Sequence, residues 1–130
     1  MKKLTYTMEN YLEAIYELSQ ADGARVSDIA ERMGVTKAST HRAMTALAEK
    51  GLVIHEKYKK ILLTPKGYSL AQLTAEKHHV IQEFLTMVLM VSPDISESDA
   101  CAIEHVISSE TIAAMKIFMD KNRISSHTES

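Results

Sequence analysis

Cys101, Glu104 and His105 stand at positions i, i+3 and i+4, a spacing that on a helix sends a thiol, a carboxyl and an imidazole out from one face. Each offers a lone pair to a divalent transition metal, and three ligands from one helix leave one or two to come from elsewhere. His78 with His79, and the i, i+3 pair Asn10 and Glu13, are donors of the right type. No paired Cys-x-x-Cys repeat fixes the site, so a blander reading stands beside it, a small core cysteine followed by a solvated Glu-His pair. A second group of residues has different chemistry. Thr36, Lys37, Ser39, Thr40, His41 and Arg42 form one polar, basic turn, and Lys57, Tyr58 and Lys59 form another. Arg42 is the strongest candidate for reading a base, because a guanidinium matches the two acceptors of guanine, whereas Lys37 suits a phosphate.

These residues must be held by elements that the apolar pattern predicts. Met8, Tyr11, Leu12, Ile15, Tyr16 and Leu18 recur at helical spacing and predict a first helix. After a break at Ala21 to Ala24, Ser27 is expected to cap a short helix ended by Gly34, and Thr36 to cap a third that runs from Lys37 to Lys50. Two short helices joined by Gly34-Val35-Thr36 have the spacing of a helix-turn-helix. Leu52 to Glu56 and Ile61 to Thr64 then read as a β-hairpin with the basic tip Lys57 to Lys60. Thr64-Pro65 caps a long helix free of proline and interior glycine from Tyr68 to Ser92, followed by helices at about Glu97 to Ile107 and Ser109 to Lys121, with Arg123 to Ser130 expected to fray.

The expected fold is therefore mainly α with a small β-hairpin wing. Residues 1–70 are expected to form a winged helix-turn-helix DNA-binding domain, and residues 71–130 a helical domain, which the resemblance given below makes the metal-binding and dimerisation domain. The third helix enters the major groove and the wing reaches the neighbouring backbone. Ile103, Val106, Ile107, Ile112, Met115, Ile117 and Phe118 exceed what one small core needs; they are the candidates for a dimer interface, beside the plainer reading that they cover the long helix.

Charge follows the same division. The net charge of −2 hides 12 Lys and Arg against 9 Asp and Glu up to Lys77, and 3 against 8 from His78 onward. A chain of 130 residues with one cysteine excludes a large multidomain enzyme and an internal disulfide. No apolar run approaches the ~20 residues that span a bilayer, so a cytoplasmic protein without a membrane partner is expected. The short loops leave no room for a small-organic-substrate pocket, and no enzyme is expected. A regulator without metal, sensing oxidation through Cys101, is the alternative of a different class.

The sequence resembles the DtxR/MntR-type metal-dependent transcriptional repressors. The likeness runs through Glu9-Asn10-Tyr11-Leu12-Glu13-Ala14-Ile15-Tyr16, Arg25-Val26-Ser27-Asp28-Ile29-Ala30-Glu31-Arg32, Glu56-Lys57-Tyr58, Leu63-Thr64-Pro65-Lys66-Gly67 and Ala100-Cys101-Ala102-Ile103-Glu104-His105-Val106-Ile107-Ser108. It implies a homodimer that binds Mn(II) or Fe(II) between its two domains and then occupies a double-stranded operator to shut off metal uptake. It also implies the metal ligands Asn10, Glu13, His78, Cys101, Glu104 and His105. Asn10 departs from the aspartate of manganese-type members and the methionine of iron-type members. Cys101 matches the iron type and replaces the glutamate of the manganese type. Lys37-Ala38-Ser39-Thr40 replaces the family's proline-rich start of the reading helix.

Arg42→Ala is expected to weaken specific duplex binding by about 1–3 kcal/mol while leaving metal affinity intact. Titrations of labelled DNA and of metal check this, and equal loss of both would show misfolding instead.

Overall fold

A computed structural model of the chain describes residues 4–19 and 22–122; the expected fraying of Arg123 to Ser130 lies outside them. The chain divides into two compact units, Met1–Leu73 and Thr74–Ser130.

In the first unit α1 (Tyr6–Leu18) is capped by Thr5, whose hydroxyl accepts from the Met8 N–H. Next comes α2 (Val26–Met33). Its N-cap is Arg25 and not Ser27, which lies inside the first turn, so Ser27 is not the cap expected from its hydroxyl. Gly34 closes α2 in the left-handed conformation at φ 71°, which glycine adopts without the Cβ penalty of other residues. Thr36 caps α3 (Lys37–Glu49) as expected.

The hairpin is shorter than its apolar runs suggested. β1 (Val53–Ile54) pairs antiparallel with β2 (Leu62–Leu63), in register Val53 with Leu63 and Ile54 with Leu62. The run begun by Ile61 turns instead to Ala24, with Ala24 N–H to Ile61 O at 2.9 Å and Ile61 N–H to Ala24 O at 2.8 Å. The wing is thus stitched to the segment before α2. Tyr11, Leu12 and Ile15 from α1, Ile29 from α2, and Met44 and Leu47 from α3 meet Leu52, Val53 and Ile61 in one core. Burying each such aliphatic side chain contributes about 1.5–3 kcal/mol.

Helix α4 (Pro65–Glu83) carries the division between the units and starts at the proline, as the Thr64-Pro65 cap signal predicts. It continues as a π-helical turn over Phe84–Val88, so the long helix is not uniform to Ser92. Thr86 explains the widening: its hydroxyl bonds back to the Gln82 carbonyl, and also to that of Glu83 at 3.4 Å, competing with the regular ladder. In the second unit α5 (Pro93–Ile103) and α6 (Ser109–Lys121) pack on this segment. Val80, Ile81, Ala100, Ile112 and Met119 form its core, with Ile103, Ile107 and Met115 against them. Val106, Ile117 and Phe118 stay exposed at 75%, 60% and 45%. The apolar surplus noted in the sequence is thereby apportioned between core and surface.

Gly67 lies in the first turn of α4, where any Cβ would run into the Leu52 carbonyl group just before β1. Gly67→Ala is expected to destabilise the fold by about 2 kcal/mol or more, read as a lower urea midpoint; an unchanged midpoint would contradict the packing described.

Candidate metal centre and nucleic-acid interface

In the second unit the chemistry gathers around His78 on α4. Its Nδ1 lies 2.7 Å from Glu104 Oε1, and its Nε2 lies 3.0 Å from Glu97 Oε1. Cys101 Sγ stands 3.6 Å from the other oxygen of Glu97, and His105 Nε2 stands 3.2 Å from Glu104 Oε2. One donor atom each from His78, Glu97 and Cys101 lies within 4.8 Å of the others. The side chains of Glu104 and His105 are 0% and 2% exposed, that of His78 16% and that of Glu97 53%, so the cluster grades from a dry interior to an open rim. Lys77 pins the turn after α5 by donating to the Ile107 carbonyl at 3.0 Å.

Sequence reasoning had His78, Cys101, Glu104 and His105 as candidates, and these do come together. The expectation of one shared helical face does not hold, because α5 ends at Ile103. Glu104 is its C-cap and His105 falls in the following turn. The view of Cys101 as a small core residue is also corrected, since its thiol is at the surface. Glu97 was missed, although it precedes Cys101 by one helical turn and so shares its face. His79, one residue from His78, points elsewhere on the helix and is exposed. In the first unit Asn10 and Glu13 are both half-buried on α1, one turn apart.

The donor set is chemically consistent with a divalent transition metal. With Nδ1–H of His78 donating to Glu104, Nε2 is the nitrogen left to an ion that would take the place of its proton toward Glu97, so that His78, Glu97 and Cys101 offer nitrogen, oxygen and thiolate donors together.

The second group of residues lies on α3 and the wing. The Thr36 hydroxyl accepts from Ser39 N–H at 3.0 Å, and Ser39 in turn receives Arg42 Nη2 at 3.2 Å. Lys37, His41 and Arg42 are exposed. Thr40 is not available to a ligand: it is fully buried and its hydroxyl donates to the Thr36 carbonyl at 3.0 Å, so it serves the helix start. At the wing tip Tyr58 is 93% exposed with φ 64°, and the Lys57 ammonium sits 5.2 Å from its ring centre. Lys59 pairs with Glu56 at 3.3 Å. Lys60 pairs with Asp22 at 2.9 Å, and that hydrogen bond holds the Asp22 carboxyl below the ordinary carboxylate range. Arg25 and His55 also face this surface and were not singled out from the sequence.

Among the described residues no helix is long and apolar enough to cross a membrane. Residues 3–61 match the family described as iron dependent repressor, N-terminal DNA binding domain, and residues 64–130 match iron dependent repressor, metal binding and dimerisation domain. The transcriptional regulator MntR of Escherichia coli O6:H1 is 36% identical over 116 residues, covering 88% of this chain and 74% of that protein. The HTH-type transcriptional regulator MntR of Listeria monocytogenes serotype 4a is 37% identical over 109 residues, covering 83% and 76%. The solved structure of the manganese regulator SloR superposes with a TM-score of 0.76 at 30% identity over 90% of this chain, which spans 55% of that one. The chain therefore belongs to the iron-dependent repressor family, whose members are transcriptional regulators.

His78→Ala takes from a buried carboxylate its shorter partner, which is expected to cost about 2 kcal/mol or more in chelator-containing buffer. Adding Glu104→Gln should recover part of that loss in urea unfolding. A His78→Ala midpoint equal to the parent's would contradict the pairing.

Proposed function

We propose that this chain is a homodimeric, metal-dependent DNA-binding repressor that answers to Mn(II) or Fe(II) and controls metal uptake. The observation that carries the reading is the His78–Glu97–Cys101 donor cluster, with buried Glu104 behind it, in the unit matched as metal-binding and dimerising. Bound there, the ion supplies positive charge that offsets the repulsion among carboxylates and thiolate. Glu104 orients His78, the Cys101 and Glu97 side chains on the open rim add sulfur and oxygen donors, and His105 in the turn after α5 is proposed as a further ligand. This use of Cys101 is favoured over oxidation sensing because its sulfur already faces a carboxylate and an imidazole.

Asn10 and Glu13 are proposed as further ligands from the DNA-binding unit. Their support is the helical spacing and the family likeness. An ion drawing donors from both units restricts the arrangements the reading helices sample. In a symmetric dimer those helices must meet major grooves about 34 Å apart. The ion shifts that equilibrium only by its differential affinity for the competent arrangement. Exposed Val106, Ile117 and Phe118 are the residues proposed for the dimer contact. On the DNA side Lys37, Arg42, Lys57 and Tyr58 are proposed to touch the duplex, with His41 beside them. Ser39 holds Arg42 in place.

The test is fluorescence anisotropy of a labelled duplex from the promoter of the chain's own gene, titrated with chelator-stripped protein. Tight binding is expected only with Mn(II) or anaerobic Fe(II), and the ion that suffices identifies the effector. His105→Ala is expected to abolish this activation, and Glu97→Ala to weaken metal affinity by about tenfold or more, as expected on losing one ligand or its support. Activation unchanged in both variants would overturn the assignment.

A further inference from the structure

His41 on the exposed side of α3 and His55 just after β1 face one another across the base of the wing. Their rings stack at 5.4 Å between centroids and 27° between planes, with His41 Nδ1 at 3.4 Å from His55 Nε2. They line a cleft of about 940 Å³ between the reading helix and the wing. The charged and titratable groups around the pair are Arg25 from the segment before α2, with Glu56, Lys57, Tyr58, Lys59 and Lys60 from the wing. Glu56 is engaged by Lys59, and Lys60 by Asp22, so the acid in the cleft is already neutralised by its neighbour.

We propose that His41 and His55 form a proton-linked phosphate clamp, which strengthens duplex binding by taking one proton from solvent when a DNA backbone phosphate enters the cleft. The proposal rests on the DNA-binding reading above and adds to it a pair of contact residues and a pH dependence. In the neutral pair one imidazole N–H donates to the other ring, so only one of the two outward nitrogens, His41 Nε2 and His55 Nδ1, carries a proton. One added proton turns the remaining outward nitrogen into a donor, gives the pair a positive charge and preserves the bond between the rings. A second proton sets two N–H groups head to head and breaks it. A phosphate therefore selects the singly protonated pair. A histidine pair suits such a link because imidazole both donates and accepts through its two ring nitrogens.

The experiment is anisotropy of the same labelled promoter duplex on the full chain between pH 6 and 8.5. Mn(II) is held at a concentration whose further tenfold increase changes nothing at any pH, which removes titration of the metal ligands. The parent's duplex affinity should rise as pH falls, approaching about tenfold per unit where the pair titrates. H41Q/H55Q, at one exposed and one half-buried position and verified as folded by circular dichroism, should be flat and bind at pH 6 about as the parent does at pH 8.5. Calorimetry in two buffers of different ionisation enthalpy should count close to one proton taken up per chain in the parent and none in the variant. A parent that binds with no pH dependence, or a variant with the parent's slope, overturns the clamp alone. Absence of duplex binding at every pH overturns the DNA-binding reading and the clamp with it.

Discussion

A carboxylate with no access to water is the constraint around which the second half of this molecule is arranged. Glu104 is fully buried at the end of α5, and an ionised carboxyl there is stable only with hydrogen bonds or opposite charge close by. His78 on α4 supplies such a partner at 2.7 Å to one oxygen, and His105 Nε2 in the following turn lies 3.2 Å from the other. Meeting that demand fixes the register of α5 against α4, and the same register brings Glu97 and Cys101 to His78 at the surface. The apolar core of Ile81, Ala100, Ile112 and Met119 holds the helices in place, but it is indifferent to which polar groups line up. The polar alignment is specified by a few hydrogen bonds whose loss is costly, and a cation site on its open side follows as a consequence.

The first half works by a different physics. Among the described residues its buried side chains are apolar apart from Thr40, and its function lies in what that core pushes outward. The Ala24–Ile61 bridge and the Lys60–Asp22 pair anchor the wing to the start of α2, so Lys57 and Tyr58 project from a fixed base. Basic residues gather on this half and acidic ones on the other, which matches a polyanion on one side and a cation on the other.

Much of this was legible in the sequence because periodicity and punctuation are local signals. The helical stripe from Met8 to Leu18, the turn at Gly34 to Thr36 and the proline after Thr64 each dictate structure within a few residues. What escaped depends on tertiary context. Ser27 has the right chemistry for a cap, yet the chain enters α2 two residues earlier because Ala24 is committed to Ile61. The π-turn after Glu83 comes from a back-bond by Thr86 that no hydrophobic pattern encodes. At the site, spacing put Cys101, Glu104 and His105 on one helix face, but the helix stops at Ile103. Burial then divides the three residues, sending Glu104 inward and Cys101 outward. Glu97 was within reach as the residue one helical turn before Cys101.

The most direct test of the claim that this cluster seats the metal is the near-ultraviolet spectrum of the chelator-stripped chain titrated with Co(II). A thiolate-to-cobalt charge-transfer band is expected to grow with added metal, to vanish in Cys101→Ser and to weaken or shift in Glu97→Ala. Saturable cobalt binding without that band, or a band unaffected by Cys101→Ser, would place the ion elsewhere and contradict the centre described.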